Sequence, residues 1–241
     1  MTDRRFRFGF TAAAILLIAA GALWLHLSDF SPDRSRFPIR GIDVSHHQGA
    51  IDWSRVARND VRFAYVKATE GGDWIDTRVE ENLREARAAG LTVGAYHFFT
   101  FCRPGDEQAR NFLSVIPSGV EMLPPVVDME YEGNCSANPS PEEFATELTK
   151  FLEIVETAFG GEVIYYSPLD FRMTYLGKSP KRRIWERLLG IEPQSDWVIW
   201  QYHDRGDVDG IEGPVDLNVL AGDTMLGPML SKRDNAAAGD N

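Results

Sequence analysis

The 241-residue chain is poor in cysteine, with only Cys102 and Cys135 and no CxxC pair. That excludes a zinc ribbon and a thioredoxin-type redox motif. Histidine is also scarce, at five residues. The adjacent His46 and His47 would point apart on an extended chain, so they read as loop residues rather than metal ligands. No metal or cofactor is called for. Basic residues number 25 against 36 acidic ones, a net charge of -11. A nucleic-acid binder would show a basic face, so that class is set aside, and an anionic polymer would have to be held by local contacts. Internal repeats and low-complexity blocks are also missing.

Charge is absent from one long stretch. Phe8 to Leu27 contains no Asp, Glu, Lys or Arg, and Arg4, Arg5 and Arg7 precede it. At ~1.5 Å per helical residue the run reaches about 30 Å, roughly one hydrocarbon core. The arginines keep that end cytoplasmic, so the rest of the chain is exported. Residues 1–7 are thus a cytoplasmic n-region and 8–27 a transmembrane signal anchor in the inner membrane. A cleavable signal peptide is the rival reading, because Ala20-Gly21-Ala22 has the small-x-small form; Leu23 to Leu27 carries the apolar run past that site. Residues 28–38 read as a linker, 39–230 as one domain and 231–241 as a polar tail. In an exported chain, two cysteines predict a disulfide, and Cys102 and Cys135 each follow a predicted strand.

What the domain does contain is alternation. Strands are predicted at 39–44, 63–69, 92–99, 124–130, 162–167, 183–187, 197–202 and 215–220. Helices are predicted at 76–89, 106–115 and 141–159, the last with Ser140 as N-cap, Pro141 in the first turn and Gly160-Gly161 at its end. Repeated strand–helix alternation implies a mainly parallel sheet. The last strands come without full helices between them, which predicts reduced crossovers or partly antiparallel strands there.

The stretch Pro124-Pro-Val-Val-Asp-Met-Glu130 places Asp128 and Glu130 two residues apart, on one face of a strand. Crowded, part-buried carboxylates raise one pKa and leave a proton donor beside an ionised partner. A solvated strand end, or half of a metal site, would show the same residues. In a parallel β/α barrel the active site lies at the C-terminal strand ends. There the sequence puts Asp43, Lys67, Tyr96 and His97, Asp128 and Glu130, Tyr166, Trp200 and Gln201, and Asp216. Acids and flat rings on one rim suit a sugar cleft. Bland roles stand beside these: Asp43 as a loop cap, Lys67 neutralising nearby acids, Trp200 and Tyr166 as packing, Asp216 in a turn, and Asp52 as a helix N-cap.

Five segments in order carry a resemblance: Gly41-Ile-Asp-Val-Ser-His-His-Gln-Gly49, Phe63-Ala-Tyr-Val-Lys-Ala-Thr-Glu-Gly71, Gly94-Ala-Tyr-His-Phe98, Pro125-Val-Val-Asp-Met-Glu130, and Trp200-Gln-Tyr202. Val215-Asp-Leu-Asn218 follows as a sixth. Together they resemble the glycoside hydrolase family 25 (Chalaropsis-type) lysozymes from about residue 39 to 223. The resemblance implies a modified TIM-like (β/α)5β3 barrel. It also implies N-acetylmuramidase activity on peptidoglycan glycan strands. The N-terminal run puts that activity in the cell envelope, and a monomer is the expected state. Residue by residue, Glu130 matches the general acid and Asp43, Asp128 and Asp216 the supporting carboxylates. Tyr96, Tyr166, Lys67, Gln201 and Trp200 match cleft positions. The charge-free N-terminal run, the cysteine pair and the region around Ile184 to Leu188 depart from the pattern, and no cell-wall-binding repeat is present. Two other classes remain open: a carboxylate-based, metal-dependent hydrolase, and a membrane-anchored glycan-binding protein without catalysis.

Overall fold

The computed structural model describes residue 21 and residues 30–222 and 229–233. Apart from residue 21, the predicted membrane segment therefore lies outside the described residues. Among those described, no helix is long and apolar enough to cross a membrane.

Eight strands close into a barrel: β1 (Arg40–Val44), β2 (Phe63–Glu70), β4 (Thr92–Phe98), β6 (Val126–Asp128), β7 (Ile164–Tyr166), β8 (Ile184–Arg187), β9 (Ile199–Gly206) and β10 (Val215–Leu220). Every neighbouring pair from β1 to β9 is parallel, and β10 runs antiparallel to both β9 and β1. Three two-residue strands lie outside the ring: β3 (Trp74–Ile75) pairs with the end of β2, and β5 (Glu121–Met122) with β11 (Ser231–Lys232). Five helices cross between the first six barrel strands: α1 (Trp53–Val56), α2 (Val79–Ala88), α3 (Gly105–Val115), α4 (Pro141–Phe159) and α5 (Leu169–Tyr175). The last two strands follow without helices. Each predicted strand is present.

The helix boundaries follow their caps. Asp52 accepts the Arg55 N–H and opens α1. Ser140 and Glu143 form a reciprocal capping box on α4, and Gly160 ends it in the left-handed conformation (φ 60°). The helix expected from Asp76 begins only at Val79, because the buried Asp76 carboxylate takes the backbone N–H groups of Arg78 and His46 instead. The short α5 was not expected from the sequence.

Strand alternation divides the apolar side chains into two layers. Ile42, Val44, Ala64, Val66, Val93, Ala95 and Val127 point outward and pack beneath the helices, where Phe112, Phe144, Phe151 and Val155 cover them. Phe63, Tyr65, Val126, Ile164, Trp185, Ile199 and Leu220 fill the barrel interior. Gly41 and Gly94 make room for the largest of these. A Cβ on Gly94 would lie 2.3 Å from the Tyr65 ring, and one on Gly41 2.5 Å from Phe63. Gly94→Ala is therefore expected to destabilise the fold by about 1–3 kcal/mol, read as a lower urea midpoint; an unchanged midpoint would refute this packing account.

His97 sits on the outward face of β4, hydrogen-bonded to Thr69 (2.7 Å) and Gln108 (3.1 Å). Burial lowers its pKa to about 3, so it is a neutral core residue rather than a rim group. A third apolar cluster covers the outside of β9 and β10. Phe30 and Phe37 lie against Trp200, Tyr202 and Trp197, and Arg36 grips Glu192 through two hydrogen bonds of 2.7 Å. The buried Arg40 guanidinium joins Ser31, the Pro32 carbonyl and the Tyr202 hydroxyl. Residues 30–37 are thus strapped to the barrel wall. Cys102 and Cys135 form a disulfide between the loops that follow β4 and β6.

Candidate active site

At the C-terminal mouth of the barrel lies a cavity of about 110 Å³, lined by Asp43, Tyr96, Val126, Asp128, Glu130, Tyr166, Trp185, Gln201 and Asp216. Strand geometry explains this set. Asp43 and Asp216 are direct partners across the antiparallel β1–β10 pair. Asp128 stands beside Tyr166 on β7, and Val126 beside Tyr96 on β4. All four predicted carboxylates meet there, with Tyr96, Tyr166 and Gln201.

A hydrogen-bond chain runs across the floor. The Trp185 Nε1–H donates to Asn218 Oδ1 (2.9 Å), and Asn218 Nδ2 donates to Asp43 Oδ2 (2.7 Å). Asp43 and Asp216 are hydrogen-bonded to each other, and Gln201 bonds Asp216. The Tyr166 hydroxyl closes the chain by donating to Gln201 Oε1 (2.9 Å). Two carboxylates face to face cannot both ionise cheaply, so one holds a proton and gives it to the other as a hydrogen bond. Asp43 is that one: burial, then the Asp216 charge, pushes its pKa well up. Burial also lifts Asp216, to about 6, against the pull of the bonds it accepts from Asp43 and Gln201.

The second pair is Asp128 and Glu130. Burial first, then the neighbouring Glu130 charge, raises Asp128. Among the described residues, its buried Oδ1 has no hydrogen-bond partner. Burial likewise pushes Glu130 up to about 7; Glu132 adds to this, while Arg187 and Lys67 pull the other way. Such a carboxyl keeps its proton up to near neutral pH, where an ordinary glutamate is ionised, as suits a general acid. Tyr96 and Tyr166 are raised by burial, so both hydroxyls stay neutral donors.

Two predicted cleft residues are placed elsewhere. Trp200 faces the outside of the barrel, 1% exposed beneath Phe30 and Phe37, and its Nε1–H donates to the Leu188 carbonyl (2.7 Å). Neighbours on a strand face opposite sides, and Gln201 takes the inward position. Lys67 stands at the rim outside the cavity lining, paired with Glu70 (2.9 Å) and lying over the rings of Trp74 and Phe98. It reaches the acids only through its charge. Sequence reasoning left Trp185 and Asn218 without roles, although parity along the strand gives both away. Asn218 lies two residues beyond Asp216, and Trp185 pairs in register with Ile199, two residues before the inward Gln201. Among the described residues, no group of three His, Cys, Asp or Glu side chains is placed to hold a metal ion.

Residues 42–211 match the family Glycosyl hydrolases family 25. The chain belongs to glycosyl hydrolase family 25. It is a glycoside hydrolase. In sequence the family 25 domain is 37% identical to the uncharacterized protein YegX of Escherichia coli K12, over 83% of this chain and 78% of that protein. It is 32% identical to Lysozyme M1 of Streptomyces globisporus, over 76% and 68% of the two chains. In structure it is similar to a family 25 glycosyl hydrolase from Bacillus anthracis. That match has a TM-score of 0.74 and 35% identity, covering 81% of this chain and 93% of the other. The shared fold agrees with the expected (β/α)5β3 barrel.

Proposed function

We propose that this family 25 enzyme is a muramidase that hydrolyses the β-1,4 bond from N-acetylmuramic acid to N-acetylglucosamine in peptidoglycan. The observation that carries the reading is the pairing of a part-buried Glu130, its pKa raised to about 7, with a buried oxygen of Asp128 that no described residue bonds, in one cavity. The names of relatives such as Lysozyme M1 support the substrate class.

In this reading Glu130 donates its proton to the leaving glycosidic oxygen. The substrate's own 2-acetamido carbonyl oxygen attacks the anomeric carbon, forming a cyclic oxazolinium. With the proton on Glu130, the Glu130 charge that raises Asp128 is gone and Lys67 favours the ionised form. Asp128 Oδ1 then accepts the acetamido N–H and offsets the positive charge that develops on the group. Glu130, now ionised, then takes a proton from water as the water opens the ring, restoring the acid and the original anomeric configuration. Tyr96 donates to the sugar, and the Tyr166 oxygen, whose proton goes to Gln201, accepts from a sugar hydroxyl. The Asp43–Asp216 pair with Gln201 holds the cavity wall in place. A single chain supplies every one of these residues. The charge-free run from Phe8 to Leu27 behind three arginines supports export and a membrane tether for the domain.

The account predicts that activity falls as pH rises through about 7, where Glu130 loses its proton. A pH profile of kcat on purified peptidoglycan measures this, and a rate still climbing at pH 9 would remove Glu130 as the acid. NMR of the first products is expected to show the β-anomer; an initial α-anomer would exclude the retaining route.

A further inference from the structure

Glu130 stands just beyond the end of the barrel ladder. Met129 N–H still donates across to the Tyr166 carbonyl (2.9 Å). After Glu130 the chain turns back on itself, closed by Asn134 N–H to the Tyr131 carbonyl (3.1 Å), with Gly133 in the left-handed region (φ 77°). One side-chain amide fastens this turn to the barrel. Asn134 Nδ2 donates to the carbonyls of Glu130 (2.9 Å) and Phe99 (3.0 Å). Asn134 Oδ1 accepts from the N–H groups of Phe101 and Cys135, each at 3.0 Å. An asparagine amide has two donors and two lone pairs, and here all four are used. Aspartate would lose both donations. The neighbouring residue then repeats the connection covalently, because Cys135 is bonded to Cys102 in the same β4 loop that carries Phe99 and Phe101.

We propose that Asn134 and the Cys102–Cys135 disulfide form one clamp that positions the Glu130 carboxyl, and that reducing the disulfide slows the enzyme. The proposal rests on the reading of Glu130 as general acid. Asn134 touches no reacting atom, so it is a positioning residue. Hydrogen bonds in a half-exposed loop compete with water, and the covalent tie limits how far the loop can open. Cys102 is exposed and Cys135 half-buried, which leaves the bond open to a soluble dithiol. In that exchange the S–S bond breaks and two thiols form. The dithiol supplies two electrons and two protons and closes to its own disulfide.

The test uses the full-length chain carrying ¹³C-labelled glutamate side chains, with the Glu130 signal assigned by its absence from Glu130→Gln. Wild type, Asn134→Ala and the double variant Cys102→Ser/Cys135→Ser are titrated by NMR and assayed on purified peptidoglycan. A carboxyl displaced by ~1 Å loses about 100-fold in rate. The expected result is a ~10- to 100-fold drop in kcat with KM little changed, and a Glu130 titration that falls from about 7 towards the ordinary ~4.3. Dithiothreitol on the wild type is expected to reproduce the double variant. A kcat loss with an unmoved Glu130 titration overturns the proposal, because general loosening of the fold does the same. Unchanged kcat and titration in both variants also overturn it. If Asn134→Ala fails to fold, the cysteine double variant decides. If the wild type cleaves no glycan, the muramidase reading fails, while the titration still decides the clamp.

Discussion

Glu130→Gln is expected to lower kcat on peptidoglycan by ~10³-fold or more while leaving glycan binding intact, since positioned acid–base groups contribute about 10²–10⁴-fold. Glutamine fills the same space and keeps one carbonyl oxygen, but it has no proton to give to the leaving sugar. The same variant is expected to be more stable than wild type above neutral pH. The folded-state pKa of Glu130 is raised to about 7, so the folded protein binds a proton more tightly than the unfolded chain does. The stability linked to that proton is fully present below the unfolded pKa of ~4.3 and is lost as pH rises through about 7. At pH 8 wild type carries a part-buried charge that the amide avoids. The full linkage for that shift is ~4 kcal/mol. Solvent screening of a part-exposed carboxyl reduces it to a gain on the order of 1–2 kcal/mol, and for a domain of this size each kcal/mol corresponds to a rise in Tm of about 2–4 °C. Calorimetry at pH 5 and pH 8 reads the difference. A variant less stable than wild type at pH 8 would mean that Glu130 is held as an anion.

Asp128→Asn is expected to cost ~10²- to 10³-fold in kcat, with a smaller change in KM, by analogy with the removal of one preorganised electrostatic partner from a water-poor site. The partner is the substrate's acetamido group, so the loss should depend on that group being present. A glycan with a 2-hydroxyl in its place is expected to be cleaved slowly by wild type, and Asp128→Asn should reduce that residual rate little further. The two deletions remove one interaction and are therefore non-additive. Fully additive losses would move Asp128 to another task, as base or nucleophile, and would end the substrate-assisted reading. The Oδ1 of Asp128 is the structural reason to expect non-additivity, because no side chain among the described residues uses it.

Most of the fold was legible in short apolar runs bounded by Gly, Pro and polar turns. Their positions predict all eight barrel strands, and the lack of helical pattern after Arg187 predicts the bare last strands. The antiparallel direction of β10 was only one of two alternatives, because strand direction is set by crossovers and not by the strand's own residues. The short helix at Leu169–Tyr175 escaped because seven residues show barely two turns of periodicity. Four carboxylates and two tyrosines of the site could be read from alternation along their strands. Trp200 could not be placed, because what buries it is Phe30 and Phe37, in a stretch that reads as linker. Proline content and mixed charge describe that stretch locally and say nothing of its docking on β9. Trp185 and Asn218 were readable in principle, since each shares strand parity with an inward neighbour. Their roles became visible only as a chain of hydrogen bonds between strands distant in sequence.

The most direct test of the central claim is product analysis. The full-length chain and its Glu130→Gln variant are incubated with purified peptidoglycan, and the released fragments are reduced with borohydride and weighed by mass spectrometry. The account predicts fragments ending in reduced muramic acid from the wild type and none from the variant. Fragments ending in reduced glucosamine would contradict the bond assignment. Intact glycan that nevertheless retains the protein would contradict catalysis itself.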